Sequence, residues 1–217
     1  MKQSTRKIID YLLERYPVLS ENESSLICAL ELMIASYRNG GKMLVCGNGG
    51  SAADALHIVG ELMKAFVLPR KIEGEEKELL LSQCEHGALL SSSLQGALPT
   101  IALVSEVGLV TAYANDVAPE LAFAQQVYGY GKKGDVLLSI STSGNSQNVL
   151  YANEVARAKQ MKVVGLTGNG GGKMAQQCDA CICVPMEETY RIQELHLPVY
   201  HVICLALENE FFGKEED

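Results

Sequence analysis

Two glycine- and hydroxyl-rich stretches and a handful of ionisable side chains carry the chemistry of this sequence. Gly47-Asn48-Gly49-Gly50-Ser51 follows the apolar run Met43 to Cys46 and precedes an Ala- and Leu-rich stretch, Ala52 to Phe66. A strand, a glycine turn and a helix start form an anion cradle: glycine lets the backbone approach a ligand, and the first helical N–H groups point at it. The spacing is neither GxGxxG nor GxxxxGK[ST], so a dinucleotide or nucleoside triphosphate is not the first expectation. One turn into the helix, His57 and Glu61 are four residues apart and share a face. That places a metal ligand or an acid/base pair beside whatever the loop holds. A second hydroxyl-rich loop, Ser141-Thr142-Ser143-Gly144-Asn145-Ser146, follows another apolar run, Asp135 to Ile140, and precedes a helical stretch from Asn148 to Gln160. Its hydroxyls and the dipole of the following helix suit a phosphate or a sugar. In the C-terminal segment, Gln193 and His201 are eight residues apart on a shared helix face, whereas His196 falls off that face and reads as structural.

These groups need a scaffold, and the pattern of the chain supplies one. Apolar runs at Met43–Cys46, Thr100–Val104, Asp135–Ile140, Lys162–Thr167 and Ala180–Pro185 alternate with helical stretches. Five strand–helix alternations call for a parallel sheet covered on both faces, with ligands at the carboxyl ends of the strands. Ahead of the first strand, residues 3 to 16 and the stretch after Ser20 read as two helices, with Pro17 ending the first and Ser20 and Glu23 capping the second. Having no strand to cross over to, the pair is expected to pack its apolar faces on a partner subunit. Residues 67–98 are the least readable third: a charge run from Glu73 to Glu78, one helix over Leu79–Leu94 and a connecting loop up to Pro99. Glu187 to Phe212 reads as one long helix, kinked or divided near Leu197 by Pro198.

Bulk properties narrow the function classes. The 217 residues suffice for one large domain, and 47% apolar with 20% charged residues is a globular balance. A net charge of −8 supplies no basic stripe for nucleic acid. No apolar run is long enough to cross a membrane, and the amino terminus lacks a signal-peptide core. Seven scattered cysteines fit a reduced, cytoplasmic protein; Cys178, Cys181 and Cys183 have no second Cys/His cluster to complete a zinc site.

Cys46 to Ser51, His57 with Glu61, Asn115-Asp116, Ile140 to Ser146 and Arg191-Ile192-Gln193-Glu194 with His196 form a set that resembles the sugar-isomerase (SIS) domain and, within it, the phosphoheptose isomerases. The resemblance covers nearly the whole chain. It implies a single domain over 1–217 with a three-layer α/β/α sandwich, a five-stranded parallel sheet, an N-terminal helical pair in 1–39 making oligomer contacts, and an insertion or lid over 67–98. It also implies a homotetramer with shared sites. The activity implied is an aldose–ketose isomerisation of sedoheptulose 7-phosphate to D-glycero-D-manno-heptose 7-phosphate through an enediol(ate). By the same resemblance Ser141, Thr142, Ser143 and Ser146 hold the phosphate. Asn48, Gly49, Gly50 and Ser51, with Asn115 and Asp116, hold the hydroxyl chain, and Glu61 and Gln193 also contact substrate. His57, Glu61, Gln193 and His201 match a site often filled by zinc, and Glu61 and His201 match the acid/base pair. A carboxylate among Leu and Val neighbours is tuned upward to act as a base, and histidine suits the acid role near neutral pH. Tyr190 stands where the family pattern has an Asp. The rival from another class is a non-catalytic SIS protein that binds a sugar phosphate or a protein partner, like the replication-initiator-associating members. Those lack the Glu and the second His, which this sequence keeps as Glu61 and His201.

Overall fold

The computed structural model describes residues 1–214. Among these, five strands form one parallel sheet: β1 (Met43–Gly47), β2 (Thr100–Ala102), β3 (Val136–Ser141), β4 (Lys162–Thr167) and β5 (Ala180–Cys183), in the order β2-β1-β3-β4-β5. Strands β1 and β3 are buried along their whole length, as central parallel strands covered on both faces must be. Alternation along them divides the interior. Met43, Val45, Val136, Leu138 and Ile140 face one core, which is shared with α1 (Gln3–Arg15), α2 (Glu23–Arg38), α3 (Gly50–Met63) and α9 (Thr189–Phe212). Leu44, Cys46 and Leu137 face the other, filled by Phe123 and Val127 of α7 (Ala122–Tyr130) and by Val149, Leu150, Ala152 and Ala156 of α8 (Gln147–Ala158). This is the three-layer α/β/α sandwich expected from the alternation. The strand order reverses between β1 and β3, and that switch point is where a doubly wound sheet opens a ligand crevice.

Three details depart from the sequence reading. The N-terminal helices do not wait for a partner: Ile9 and Leu12 of α1 and Leu26, Leu30 and Met33 of α2 lie in the chain's own main core. α1 lies along α9, and α2 packs against β5 and α9. Ser20 caps no helix; it lies in a 3₁₀ turn, Pro17–Asn22, where its hydroxyl donates to the Pro17 carbonyl at 2.6 Å, and α2 begins at Glu23. α9 continues as one helix through Pro198. The carbonyl that proline leaves without an N–H is that of Glu194, four residues back on an exposed position, where water can satisfy it.

The unreadable segment forms two helices, not one: α4 (Gly74–Gln83), which includes most of the charge run, and α5 (Gly87–Ser93). They part at Gly87, whose α-carbon approaches the Leu80 carbonyl so closely that a Cβ there would sit 2.3 Å from the oxygen. The roots of the segment are clamped to α9. Glu208, 1% exposed, accepts the backbone N–H groups of Phe66, Val67 and Leu68 at 2.8, 2.9 and 3.0 Å and pairs with buried Arg70 at 2.8 Å. Burial opposes the charge on Glu208, yet the N–H groups of Phe66, Leu68 and Val67 and the Arg70 guanidinium outweigh it and hold the carboxyl below its ordinary value. Arg70 also donates to the carbonyls of Leu62 and Glu61, which fixes the C-terminal end of α3.

Candidate active site

A cavity of about 250 Å³ lies at the switch point, lined by Asn48, Gly49, Gly50, Ser51, Ile140, Ser141, Thr142, Ser146, Thr189 and Gln193. Two helix N-termini open onto it, α3 after Gly49 and α8 after Ser146, so both helix dipoles favour an anion there. Gly49 takes a left-handed φ of 55° to turn out of β1. A Cβ on Gly50 would fall 2.3 Å from Gln193 Nε2, so α9 can lay this amide over the loop only because residue 50 has no side chain. Across the cavity, Ser141 Oγ and Ser146 Oγ are 3.0 Å apart. The Ser143 hydroxyl accepts the Asn145 N–H at 3.2 Å, and Asn145 Oδ1 accepts the Lys173 N–H at 3.1 Å. Gly144, with φ of 63°, presses on the Gly170–Gly172 turn that follows β4: a Cβ at 144 would lie 2.2 Å from the Gly171 carbonyl oxygen. The hydroxyl loop thus has a rigid backing.

A second cluster lies further along the same helix pair. α3 and α9 run side by side, with Gly50 against Gln193 and His57 against Tyr200 and His201. Seven residues of helix separate these two levels, roughly 10 Å at 1.5 Å per residue. At the second level His57 Nε2 is 3.2 Å from Glu61 Oε1, and the His57 and His201 rings meet edge to face with centroids 5.0 Å apart. Lys64 Nζ lies 3.0 Å from Glu61 Oε2. The carboxylate therefore sits between a cation and an imidazole, with most of its side chain buried. His201 Nε2 is buried with no hydrogen-bond partner. Burial, with a further contribution from His57, holds His201 below the ordinary imidazole value, partly offset by Glu61. His196, by contrast, is wholly buried in the helix core, and burial pushes it down to about 4, little relieved by the Thr167 backbone. It is a neutral structural residue, as its place off the Gln193–His201 face implied.

The two clusters account for most of the expected residues. Asn48, Gly49, Gly50, Ser51, Ser141, Thr142, Ser146 and Gln193 line one cavity. Ser143 backs the same loop, and His57, Glu61 and His201 meet at the second level. The four residues matched to zinc do not form one group: Gln193 stays at the cavity level, and among the described residues no three His, Cys, Asp or Glu side chains converge to hold an ion. Asn115 and Asp116 end α6 (Val107–Asp116) on exposed positions, with the Asn115 amide donating to Asp116 Oδ1 at 2.9 Å; neither lines the cavity. Tyr190 is 59% exposed, and its hydroxyl accepts from Arg191 Nε at 3.1 Å.

Some participants went unread. Asn148 forms a reciprocal amide pair with Asn48, at 2.9 and 2.8 Å, tying the two loops together. Asp54, one turn before His57 on the same face, and Tyr200, beside His201, complete the surroundings of His57. Their helical spacing was a signal, but nothing in it said which helix faces which.

A SIS-domain family model matches residues 104–207 and a second SIS-domain model matches residues 9–95. A phosphoheptose isomerase of Thiobacillus denitrificans is 43% identical over 85% of this chain and 83% of its own length. This chain belongs to the SIS-domain phosphoheptose isomerase family. Phosphoheptose isomerase 2 of Campylobacter jejuni is 41% identical over 94% of this chain and 90% of that protein. The solved phosphoheptose isomerase of Neisseria gonorrhoeae superposes with a TM-score of 0.71 at 33% identity, covering 94% of this chain and 98% of that one. A second solved member, from Francisella tularensis, gives 0.71 at 31% identity over 95% and 99%. The family fold therefore spans the N-terminal helices and the 67–98 segment as well as the sheet.

Proposed function

We propose that this protein interconverts sedoheptulose 7-phosphate and D-glycero-D-manno-heptose 7-phosphate. Family membership makes it a sugar-phosphate isomerase. The observation that carries the assignment to this site is the arrangement of the anion cradle and the carboxylate–imidazole cluster along one helix pair. A phosphate seated between the N-termini of α3 and α8 directs the far end of an extended sugar roughly 10 Å along those helices. His57, Glu61 and His201 stand there.

In this reading Ser141, Thr142, Ser143 and Ser146 bind the phosphate with the α8 N-terminus. Asn48, Gly49, Gly50, Ser51 and Gln193 hold the hydroxyl chain, and Asn115 and Asp116 join them only if α6 moves toward the cavity. Moving a 2-ketose to an aldose shifts one proton from C1 to C2 through an enediolate. The Glu61 carboxylate takes the C1 proton and returns it to C2. His201, neutral and with a buried nitrogen free of other partners, passes the accompanying proton between the two oxygens. Added zinc tests the metal reading: His57, Glu61 and His201 carry two nitrogens and a carboxylate, donors that zinc accepts, but the three would have to converge and Gln193 be drawn toward them. A homotetramer and a cytoplasmic location belong to the same reading, and α1 offers exposed Tyr11 as a contact outside its buried face.

The deciding experiment is isomerisation of sedoheptulose 7-phosphate by the purified protein in D2O, with and without added zinc. Aldose product carrying deuterium at C2 is the expected result. Binding of the sugar phosphate with neither product nor exchange would overturn the enzyme reading in favour of a non-catalytic SIS protein.

A further inference from the structure

Lys64 stands against Glu61, and the reaction as written gives it no part. Its Nζ donates to Glu61 Oε2 at 3.0 Å and to the Ala65 carbonyl at 3.1 Å, although the side chain is 58% exposed. A lysine at the end of a helix can cap the last carbonyls. Here Arg70 takes the carbonyls of Glu61 and Leu62 instead, and the Lys64 ammonium goes to the carboxylate. The backbone beneath it is fixed. Lys64 leaves α3 in an extended conformation, and the next four N–H groups are all bound: Ala65 to Gln95 Oε1 at 2.8 Å, and Phe66, Val67 and Leu68 to Glu208. The Glu61 side chain is only 14% exposed, and its other oxygen, Oε1, lies 3.2 Å from His57 Nε2. A mostly buried carboxylate is thus paired with a cation carried on a clamped stretch of chain.

We infer that Lys64 is a further catalytic residue of the isomerisation, its ammonium group stabilising the enediolate oxygen. The inference rests on the proposed role of Glu61 as the base. When Glu61 takes the C1 proton, the C–H electron pair becomes the C1–C2 double bond and the carbonyl π pair moves onto O2. The negative charge therefore leaves a carboxylate 3.0 Å from Nζ and appears on the oxygen of C2, the carbon to which the same carboxylate later returns the proton. Lys64 turns its hydrogen bond from the neutralised acid to O2, and no proton leaves the ammonium. His201 then passes the hydroxyl proton from O1 to O2, which puts the charge on O1. As O1 becomes the aldehyde oxygen, C2 takes the proton back from Glu61, and Lys64 pairs with the carboxylate again. One positive charge accompanies one migrating negative charge with little reorganisation, and away from bulk water that pairing is stronger.

The test compares Lys64→Met, which keeps the apolar stem and removes the charge, with Lys64→Arg, which keeps the charge. We expect kcat to fall about 100-fold in Lys64→Met while KM for sedoheptulose 7-phosphate stays within about threefold, and Lys64→Arg to recover most of the loss. The sign of the effect separates this role from a resting ion pair. A cation that only paired with the carboxylate would weaken it as a base, so its removal would leave kcat unchanged or raise it. A binding measurement makes the same distinction without turnover. The six-carbon aldonohydroxamic acid 6-phosphate imitates the enediolate, and its dissociation constant, measured by calorimetry, should rise about 100-fold in Lys64→Met. That of inorganic phosphate should not move. Wild-type or raised kcat in Lys64→Met overturns the inference, as does a loss confined to KM or wild-type affinity for the hydroxamate. Lys64→Gln, measured in parallel, decides should the methionine variant not fold. A wild-type protein that binds the sugar phosphate without turning it over would instead sink the proposed function.

Discussion

The two levels of the α3–α9 pair are built in opposite ways. The cradle is made mostly from neutral groups contiguous in the chain, the four residues Asn48–Ser51 after β1, the six from Ser141 to Ser146 at the end of β3 and two helix N-termini, with Thr189 and Gln193 of α9 closing it. The second level is made from ionisable side chains gathered from two helices more than 140 residues apart in sequence, as in the His57–Tyr200 contact. A phosphate needs many donors at fixed positions, and backbone in tight turns supplies these without flexible side chains. Proton transfer needs a few groups of the right acidity at one point, and packing alone brings them together. The division predicts that affinity and turnover can be damaged separately.

The largest expected effect falls on turnover. Glu61→Gln keeps volume and hydrogen-bonding capacity but cannot take a proton, so kcat should drop by about 10² to 10⁴. The dissociation constant for sedoheptulose 7-phosphate, measured by calorimetry, should stay within about threefold, because none of the cradle is touched. A rate near that of the wild type would remove Glu61 from the base role, and a parallel loss of affinity would erase the distinction between the two levels.

Gly144→Ala is the reciprocal test. The new methyl would be forced both into a left-handed backbone conformation and to within 2.2 Å of the Gly171 carbonyl oxygen, a backbone atom that cannot swing aside. The Ser143–Ser146 turn must shift, and with it the hydroxyls and the start of α8. We expect KM to rise at least 10-fold with kcat changed only a few-fold, and stability to fall by about 2 kcal/mol, a drop of several degrees in Tm. A fall in kcat at constant KM would show that the loop serves the chemistry and not the anchoring.

The same contrast explains what could be read in advance. Strands such as Val136–Ser141 announce themselves by continuous burial, and the glycine and hydroxyl loops by composition, because in both cases the physical cause lies within a few residues. The His57–Glu61 pair was legible for the same reason, being one helical turn. The facing of α3 by α9 was not, since a helical face names no partner; nothing in the sequence therefore points to Tyr200 and Asp54, and Gln193, matched both to substrate and to zinc, packs on Gly50 in the cavity. Residues 67–98 were unreadable because their anchor, Glu208, lies at the far end of the chain and forms its bonds to backbone N–H groups that leave no side-chain pattern. The break in the expected helix at Gly87 likewise comes from a contact with the Leu80 carbonyl.

The smallest effect probes the one link between the two loops of the cradle. Asn48 and Asn148 exchange two hydrogen bonds on an exposed surface, and each such bond contributes about 1 kcal/mol at most once competing water is counted. Asn148→Ala should therefore raise KM only about fivefold and leave kcat alone. Asn148→Asp separates geometry from charge. Its carboxylate can still accept from the Asn48 amide, and at the second position of α8 it favours the helix dipole by about 0.3–1 kcal/mol, so Tm should rise slightly. The same charge would stand near a phosphate held at the α8 N-terminus, so KM should rise further than in Asn148→Ala even as the protein becomes more stable. Steady-state kinetics beside thermal melts would show the two quantities moving in opposite senses. If KM instead followed Tm, the cradle would be selecting its ligand by loop rigidity and not by its field.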